Sequence, residues 1–502
     1  MRSSGRHYPR HTWHWSGWNK GGIRLEGFQA YLAIAVYIAA GTTIAWLAKK
    51  RLRKDVKDFY TAGGRFGSVV LSLSYAATTY SAFMFIGLVG LSYQSGVGAM
   101  GFELVYFVGT LFLLYYLAPK YYSLHSRYGY VSPAEVLTDR YGSPAVGMAV
   151  TLISLVALIP YSSAQIMGIA FAAEGASGGT IPFTLAVIIA VSLALLWSVV
   201  AGVWSVGWTD VYQGILMIVA GVTILAWAIS WATSLPSFSF IAGELGRVPN
   251  SYWTPQTFLN MTIPWFFFAI TNPQVVQRLF APKSREAQKK MITLFGAYGL
   301  IFTLMVCTLG LVLKGATMAG GFPLVAYRDS VTPTLLGILP PWMTILGLVA
   351  IIAASISTID GIILTLSSMS IRDIFLPLRP KLSQKAQIMA GRSVMIALAL
   401  GCMIFSLSKP GLIVDLSVLS SSLLLPIAPL VLGSFLWGRG GKYSALASLV
   451  AGFATAAALY YLKLSPLGLP MNLWTLAVSS ITYLTLGSFE MNPEGVKKIR
   501  EA

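Results

Sequence analysis

Two carboxylates interrupt long apolar runs of this chain, and hydroxyl groups accompany both. Asp210 opens one such run, and Asp360 lies inside the run from Leu346 to Met369, just after Ser357 and Thr358. An ionisable group at membrane depth is costly and is usually found along an ion or substrate path. Carboxylate and hydroxyl oxygens are the ligands that hard cations take. These residues therefore indicate a transporter in which a cation is coupled to transport.

The spacing of these groups on one helix supports a shared site. Residues three apart lie on one face of a helix, so Ser357 and Asp360 can point at one place. The alternative is that Ser and Thr only hydrogen-bond to carbonyls of their own helix. Asp360 has no such local solution, because a buried carboxylate needs a partner.

Composition places the chain in a membrane. Of its 502 residues, 56% are apolar and 10% are charged, whereas soluble domains average about 25% charged residues. The net charge of +18 could indicate a nucleic-acid-binding protein, but the basic residues lie between apolar runs. We therefore expect a lipid bilayer and a small-molecule solute as partners, and no nucleic acid.

The hydropathy pattern predicts thirteen spanning helices, because about 20 apolar residues cross a bilayer core. Their predicted spans are 27–48, 66–92, 98–118, 144–173, 181–200, 209–232, 257–279, 289–314, 342–370, 387–408, 411–437, 443–462 and 469–488.

The loops predict the orientation. Lys and Arg concentrate in cytoplasmic loops, and the basic run from Lys49 to Lys54 is one of several in alternate loops. This pattern predicts a multi-pass protein of the cell membrane with its N-terminus outside and its C-terminus in the cytoplasm. Residues 1–26 are predicted to be a disordered basic tail, 27–490 one transporter domain, and 491–502 a cytoplasmic tail.

Two predicted segments carry helix breakers. Segment two holds Gly87 and Gly90 after a polar stretch, and segment seven holds Pro264 and Pro273. Non-helical backbone at membrane depth survives only where it faces protein or a cavity, and paired broken helices mark a transporter's central site. The offset of five segments predicts two inverted repeats, about 66–232 and 257–437.

Several motifs together resemble the sodium:solute symporter family, which includes bacterial proline and pantothenate symporters. The motifs are the segments 58–65 (DFYTAGGR) and 201–213 (AGVWSVGWTDVYQ), Asn272-Pro273-Gln274 with Arg278, and Ser357-Thr358 followed by Arg372-Asp373-Ile374-Phe375. The resemblance implies an all-α integral membrane protein of the leucine-transporter type, with a five-plus-five inverted repeat. Arg278 is expected to snorkel or to form an ion pair.

The resemblance also implies a sodium ion as the cofactor. Matched by position, its ligands are the carbonyls of Ala77, Tyr80 and Ala354 and the hydroxyls of Ser357 and Thr358. Asp210 matches an acidic residue near a second ion site of some members. Asp360 and Thr79 depart from the family pattern, which leaves the ion stoichiometry open. Asp210 and Asp360 are the candidate second ion site.

The positions that match the proline symporter's substrate lining are Ser81, Ala82, Tyr161, Trp265 and Ala269. For Trp265 and Tyr161, plain packing in the core is an equal alternative. Ala269 replaces a tyrosine of the proline symporter, which weakens an assignment to proline.

The sequence thus predicts sodium-coupled symport of a small organic solute by alternating access, the solute being an amino acid such as proline or a small carboxylate. One chain is expected to suffice for function. Two alternatives stay open: a proton-coupled symporter of the same fold, and a membrane sensor that binds solute without transport. An enzyme is disfavoured, because the sequence offers neither a Ser/His/Asp set nor a metal-binding helix pair.

Overall fold

The protein is all-helical in the computed structural model, which describes residues 27–53, 55–240 and 243–501. The predicted disordered tail, 1–26, lies outside the described residues. Within the described part of the chain there is no strand; two isolated bridges join Phe66 to Pro282 and Gly440 to Met491.

Nine α-helices lie in the described residues of the first half, 27–53 and 55–240. They are α1 (Gly27–Lys49), α2 (Val56–Thr61), α3 (Ser68–Thr79), α4 (Val89–Ser95), α5 (Gly98–Tyr128), α6 (Pro133–Tyr141), α7 (Pro144–Ala176), α8 (Phe183–Ala201) and α9 (Val203–Thr233). A π-helical stretch, Phe83–Leu88, leads directly into α4.

The second half holds thirteen further α-helices among the described residues. They are α10 (Pro255–Phe266), α11 (Phe268–Thr271), α12 (Pro273–Arg278), α13 (Arg285–Met318), α14 (Val331–Leu336), α15 (Pro341–Met369), α16 (Leu376–Leu378), α17 (Gln384–Leu407), α18 (Ile413–Leu424), α19 (Ile427–Leu436), α20 (Lys442–Tyr461), α21 (Met471–Gly487) and α22 (Pro493–Arg500). A second π-helical stretch, Ser370–Phe375, follows α15.

Eight described helices are long and apolar enough to cross a membrane, and ten spans result if each of two bent pairs counts as one. The bent pairs are α3 with the stretch Phe83–Ser95, at 52°, and α18 with α19, at 47°. Each of the thirteen predicted segments coincides with a helix or a broken helix, but the count of thirteen spans stays a prediction.

Both predicted breaks exist, and one of them lies elsewhere than expected. Gly87 and Gly90 lie inside the helical stretch Phe83–Ser95. The helix that begins with α3 breaks earlier, between Thr79 and Phe83. Gly90 instead allows close packing, because a Cβ there would lie 2.1 Å from the Arg328 carbonyl oxygen. The second break follows the prediction better, since Pro273 begins α12 as a first-turn proline does.

Helix α15 lies at the centre of the fold. It packs against α9, α7 and α3, and its residues from Gly347 to Met369 are buried throughout. A helix that is apolar on all sides and buried on all sides can present polar side chains only to other helices. The hydroxyls and the carboxylate of α15 therefore face protein neighbours, and those neighbours define the sites below.

Candidate functional site

The break after α3 leaves backbone carbonyls without their helical partners. Tyr80 is extended (φ −95°, ψ 114°), and the Ala82 N–H donates to the side-chain oxygen of Gln165 at 2.9 Å. The Phe83 N–H donates to the Ser81 hydroxyl at 3.2 Å. In a continuous helix these two N–H groups would bond to the carbonyls of Thr78 and Thr79. The break therefore frees acceptor oxygens at the end of α3.

Two hydroxyls of α15 meet these carbonyls. Ser357 Oγ donates to the Ala77 carbonyl at 2.7 Å and lies 3.0 Å from the Ala354 carbonyl. Thr358 Oγ1 lies 3.4 Å from the Ala77 oxygen, 3.3 Å from the Thr78 oxygen and 3.2 Å from the Ala354 oxygen. All of these residues are fully buried.

This arrangement fits an alkali cation. The group consists only of hydroxyl and carbonyl oxygens, which are the ligands of hard cations. Four of the five predicted ligands, those on Ala77, Ala354, Ser357 and Thr358, come together, and the Thr78 carbonyl is an addition that the sequence did not reveal. Tyr80 lies at the same break, with its ring stacked against Phe302 at 5.3 Å.

The predicted second ion site contains a guanidinium. Arg278 Nη2 lies 3.6 Å from Asp210 Oδ2, and Ser74 Oγ donates to the same oxygen at 2.5 Å. Arg278 also donates from Nε to Ser74 Oγ at 3.0 Å and from Nη2 to Thr78 Oγ1 at 3.2 Å. Arg278 does not snorkel, because it is 1% exposed and pairs inside the protein.

Asp360 interacts electrostatically with both Asp210 and Arg278. Neither of its carboxylate oxygens has a hydrogen-bond partner among the described residues, and its side chain is fully buried. The next residue, Gly361, abuts the guanidinium: a Cβ there would lie 3.2 Å from Arg278 Nη2. One guanidinium thus faces two buried carboxyl groups, so Arg278 can balance the charge of only one of them.

The predicted substrate residues gather around Trp265. Its indole stacks on Phe83 at 4.6 Å and on Phe268 at 5.1 Å, and the Tyr106 ring meets it edge-on at 5.1 Å. Tyr161 lies edge-on at 6.4 Å. The Trp265 N–H and the Tyr106 hydroxyl are buried and have no hydrogen-bond partner in the described chain.

The other predicted lining residues follow the same break. The Ser81 and Tyr161 hydroxyls are 3.4 Å apart, and Ala82 is held by Gln165. Ala269 is buried in the short helix α11 of the second broken helix. The structure therefore brings Ser81, Ala82, Tyr161 and Trp265 together next to the ion ligands.

Gln165 is a residue of the candidate site that the sequence did not reveal. It lies one helical turn after Tyr161 on α7, and its side chain caps the unwound segment. Gly168, three residues later, lets α7 approach that segment: a Cβ there would lie 2.5 Å from the Ala82 Cβ. An amide inside a largely apolar helix was the available signal, since buried amides need partners.

A polar cluster ties the loop before α14 to the start of α18. Arg328 forms an ion pair with Asp415. Asp329 accepts the Ile413 N–H at 2.7 Å. Burial raises the pKa of Asp329 to about 6, and the hydrogen bond from Ile413 opposes that rise.

Comparison with known proteins identifies the family of the chain. The profile of the sodium:solute symporter family matches residues 59–452, a range that holds the broken helices, the hydroxyl pair and both carboxylates. The chain belongs to the sodium:solute symporter family.

Curated members of the family resemble the chain over most of its length. The sodium/pantothenate symporter of Escherichia coli (strain K12) is 27% identical over 484 residues, covering 93% of this chain and 97% of the relative. The osmoregulated proline transporter OpuE of Bacillus subtilis (strain 168) is 24% identical over 440 residues, covering 84% and 87%. The relatives are transporters and not enzymes.

A solved structure shares the fold. A Na⁺-coupled sialic acid symporter in a substrate-bound, outward-open state superposes with a TM-score of 0.76 at 18% identity, covering 92% of this chain and 97% of that one. The family member described here is thus a multi-pass membrane protein with a transporter fold.

Proposed function

We propose that the protein is a sodium-coupled symporter of a small organic solute that works by alternating access. The observation that carries the proposal is the meeting of the Ser357 and Thr358 hydroxyls with carbonyls at the broken end of α3. A sodium ion there would use the oxygens of Ala77, Ala354, Ser357 and Thr358, joined by the carbonyl of Tyr80 as the family pattern implies.

The position of this site explains how an ion could drive transport. The ligands lie on α3 and α15, which belong to the proposed repeats 66–232 and 257–437. An ion bound between them favours the arrangement in which both helices contribute ligands, and it shifts the population toward that arrangement. A solute that binds the same arrangement then shares the binding free energy, which is thermodynamic coupling.

We propose an amino acid or a small carboxylate as the solute. The Trp265 indole N–H can only donate a hydrogen bond, and the Tyr106 hydroxyl also lacks a partner in the described chain. Both suit an acceptor oxygen of the solute. Two relatives are named for pantothenate and proline transport, and both of these solutes carry a carboxylate.

Asp210 and Asp360 are the proposed second ion site, because three of their four oxygens have no hydrogen-bond partner in the described chain. The second carboxyl group, whose charge Arg278 cannot balance, also supports a second candidate, in which a proton is the coupling ion. We further propose that one chain suffices, with the N-terminus outside the cell membrane and the C-terminus in the cytoplasm.

The test begins with purified protein and a panel of amino acids and small carboxylates, including proline and pantothenate. A solute that binds the folded protein raises its melting temperature, and the proposal expects that rise to require sodium. Uptake of the solute so identified is then measured in proteoliposomes against sodium concentration, for the wild type and for the double variant S357A/T358A.

The matched control is S355A on the same helix, because the Ser355 hydroxyl bonds only to its own helix, at the Ile351 carbonyl (2.8 Å). The proposal expects sodium-dependent uptake to be lost in S357A/T358A and kept in S355A. An unchanged sodium dependence in the double variant would refute the site. Uptake driven by a pH gradient without sodium would favour the proton candidate, and binding without uptake would favour a sensor.

A further inference from the structure

A cavity of ≈ 360 Å³ lined by charged and amide residues lies beside α2, apart from both ion sites. Its walls come from the turn after α1, from Arg372 in the π-helical stretch after α15, and from the first turn of α17. The basic loops of the chain predict that all three segments lie at the cytoplasmic face.

The acidic groups of this cavity are already engaged. Asp58 pairs with Arg65 and accepts the Arg53 backbone N–H and the Trp204 indole N–H. Asp55 caps α2 by accepting the Asp58 N–H at 2.7 Å. These carboxylates are therefore unavailable to a ligand, and neither cancels a side-chain charge of Arg53 or Lys57.

The basic groups are only partly engaged. Arg372 is paired with Glu135. The side chains of Arg53 and Lys57 are exposed, and within the described residues neither forms an ion pair or a hydrogen bond. Gln384 adds the positive end of α17, since the N-terminus of a helix attracts anions. The Lys57 ammonium lies against Gly129, where a Cβ would be 2.1 Å from Nζ, and it has no ion-pair partner among the described residues. The cavity therefore offers a helix N-terminus and two cations that no carboxylate neutralises.

The surroundings indicate a lipid as the source of that anion. Lys49, Lys50 and Arg51 follow α1 directly, and the last turns of α1 expose Trp46 (59%) and Leu47 (50%) to the bilayer. A basic cluster next to the cytoplasmic end of a spanning helix attracts anionic headgroups. Acyl chains can thus lie against Trp46 and Leu47 while the phosphate reaches the cavity.

We propose that this cavity binds the phosphate of an anionic phospholipid of the inner leaflet, with Arg53 and Lys57 as its ligands. The bound headgroup would connect the turn after α1 and helix α2, which precede α3, with the segments that follow α15. Because α3 and α15 carry the proposed sodium ligands, such a lipid would stabilise the state in which their cytoplasmic ends are close.

The experiment measures the melting temperature of the purified full-length protein in detergent. The probes are short-chain phosphatidylglycerol, short-chain phosphatidylcholine and inorganic phosphate. The variant is R53Q/K57Q, which keeps the backbone bond from residue 53 to Asp58. The matched control, K289Q/K290Q, removes two exposed lysines from the second turn of α13, which is expected on the same face of the membrane.

We expect phosphatidylglycerol to raise the wild-type melting temperature by roughly 2–4 °C, and the other two probes to leave it unchanged. R53Q/K57Q should lose most of this shift, and K289Q/K290Q should keep it. Each shift is read against the variant's own baseline, so a lower baseline does not obscure the result. Native mass spectrometry should show one phosphatidylglycerol fewer on R53Q/K57Q.

Three results would overturn the proposal. An equal phosphatidylglycerol shift in R53Q/K57Q would place the lipid elsewhere. An equal loss in K289Q/K290Q would mean a diffuse charge effect without a site. A shift with inorganic phosphate alone would mean a free anion site and not a lipid site. None of these results depends on the transported solute, so the symport proposal stands or falls separately.

Discussion

The side-chain oxygen of Gln165 accepts the backbone N–H of Ala82 at 2.9 Å, across 83 residues of sequence. In a continuous helix the Ala82 N–H would bond to the Thr78 carbonyl of α3; here it bonds to the neighbouring helix α7 instead. This contact therefore maintains the unwound backbone that exposes the carbonyls of the candidate sodium site.

Replacing Gln165 with leucine should destabilise the unwound segment. The Ala82 N–H would be left buried without an acceptor, which costs roughly 1–3 kcal/mol. The melting temperature of Q165L should fall, and any sodium-dependent stabilisation should weaken with it. The control is Q165E, which keeps an acceptor oxygen and should bind sodium more nearly like the wild type. Equal sodium responses in Q165L and the wild type would show that the contact does not maintain the site.

The close approach of α7 gives a second prediction. In G168A the new methyl group would lie 2.5 Å from the Ala82 Cβ, and overpacking of this kind costs roughly 1–3 kcal/mol. A lower melting temperature is expected for G168A and a partial recovery for A82G/G168A. In G101A the nearest atom would lie 3.8 Å away, so this control should be neutral or slightly stabilised, since Ala favours helix over Gly. Matching losses in G168A and G101A would contradict the prediction.

The third prediction concerns the buried ion pair between Arg278 and Asp210. R278Q would leave two carboxylates buried without their cation, and breaking a buried pair costs roughly 3–5 kcal/mol. The double variant R278Q/D210N removes one charge of each sign and should melt above R278Q. Comparison of both singles with the double in a mutant cycle isolates the coupling between the two residues. Simple additivity would show that the pair is not coupled.

The fourth prediction concerns pH and Asp329. Its pKa of about 6 in the folded protein lies above the ordinary value of 3.8, so the folded state binds this proton more tightly than the unfolded state. The stabilisation from this proton is then greatest at low pH and is lost as the pH rises toward 6. Melting curves from pH 4 to pH 7.5 should show this loss in the wild type, about 3 kcal/mol at most, and not in D329N. If the melting temperatures of the wild type and of D329N changed in parallel with pH, Asp329 would not be the source of this loss.

Hydropathy was sufficient to locate the long apolar helices, because a bilayer imposes a length and an apolar composition on each span. The short helices between them, such as α2 and α6, were not predicted. The hydroxyl pair on α15 was found, since Ser357, Thr358 and Asp360 are close in sequence and polar in an apolar context. These features are local, and the sequence displays them directly.

The features that the sequence did not reveal depend on distant partners. The helix that begins with α3 breaks before Phe83 and not at Gly87, because Gln165 on α7 accepts a hydrogen bond from the Ala82 N–H. Arg278 is fully buried because Asp210 and Ser74 lie beside it, and no local pattern announces that pairing. Hydrogen bonds between distant helices decide where a helix breaks, so a prediction from local Gly and Pro residues places the break a few residues away from its true position.

One threonine belongs to both polar centres of the membrane core. The carbonyl of Thr78 lies 3.3 Å from the Thr358 hydroxyl, and its own hydroxyl accepts from Arg278 at 3.2 Å. A rotation of this residue that offers its carbonyl to an arriving cation also displaces the oxygen on which the guanidinium rests. We therefore expect occupancy of one centre to alter the geometry of the other through the backbone and side chain of this single residue.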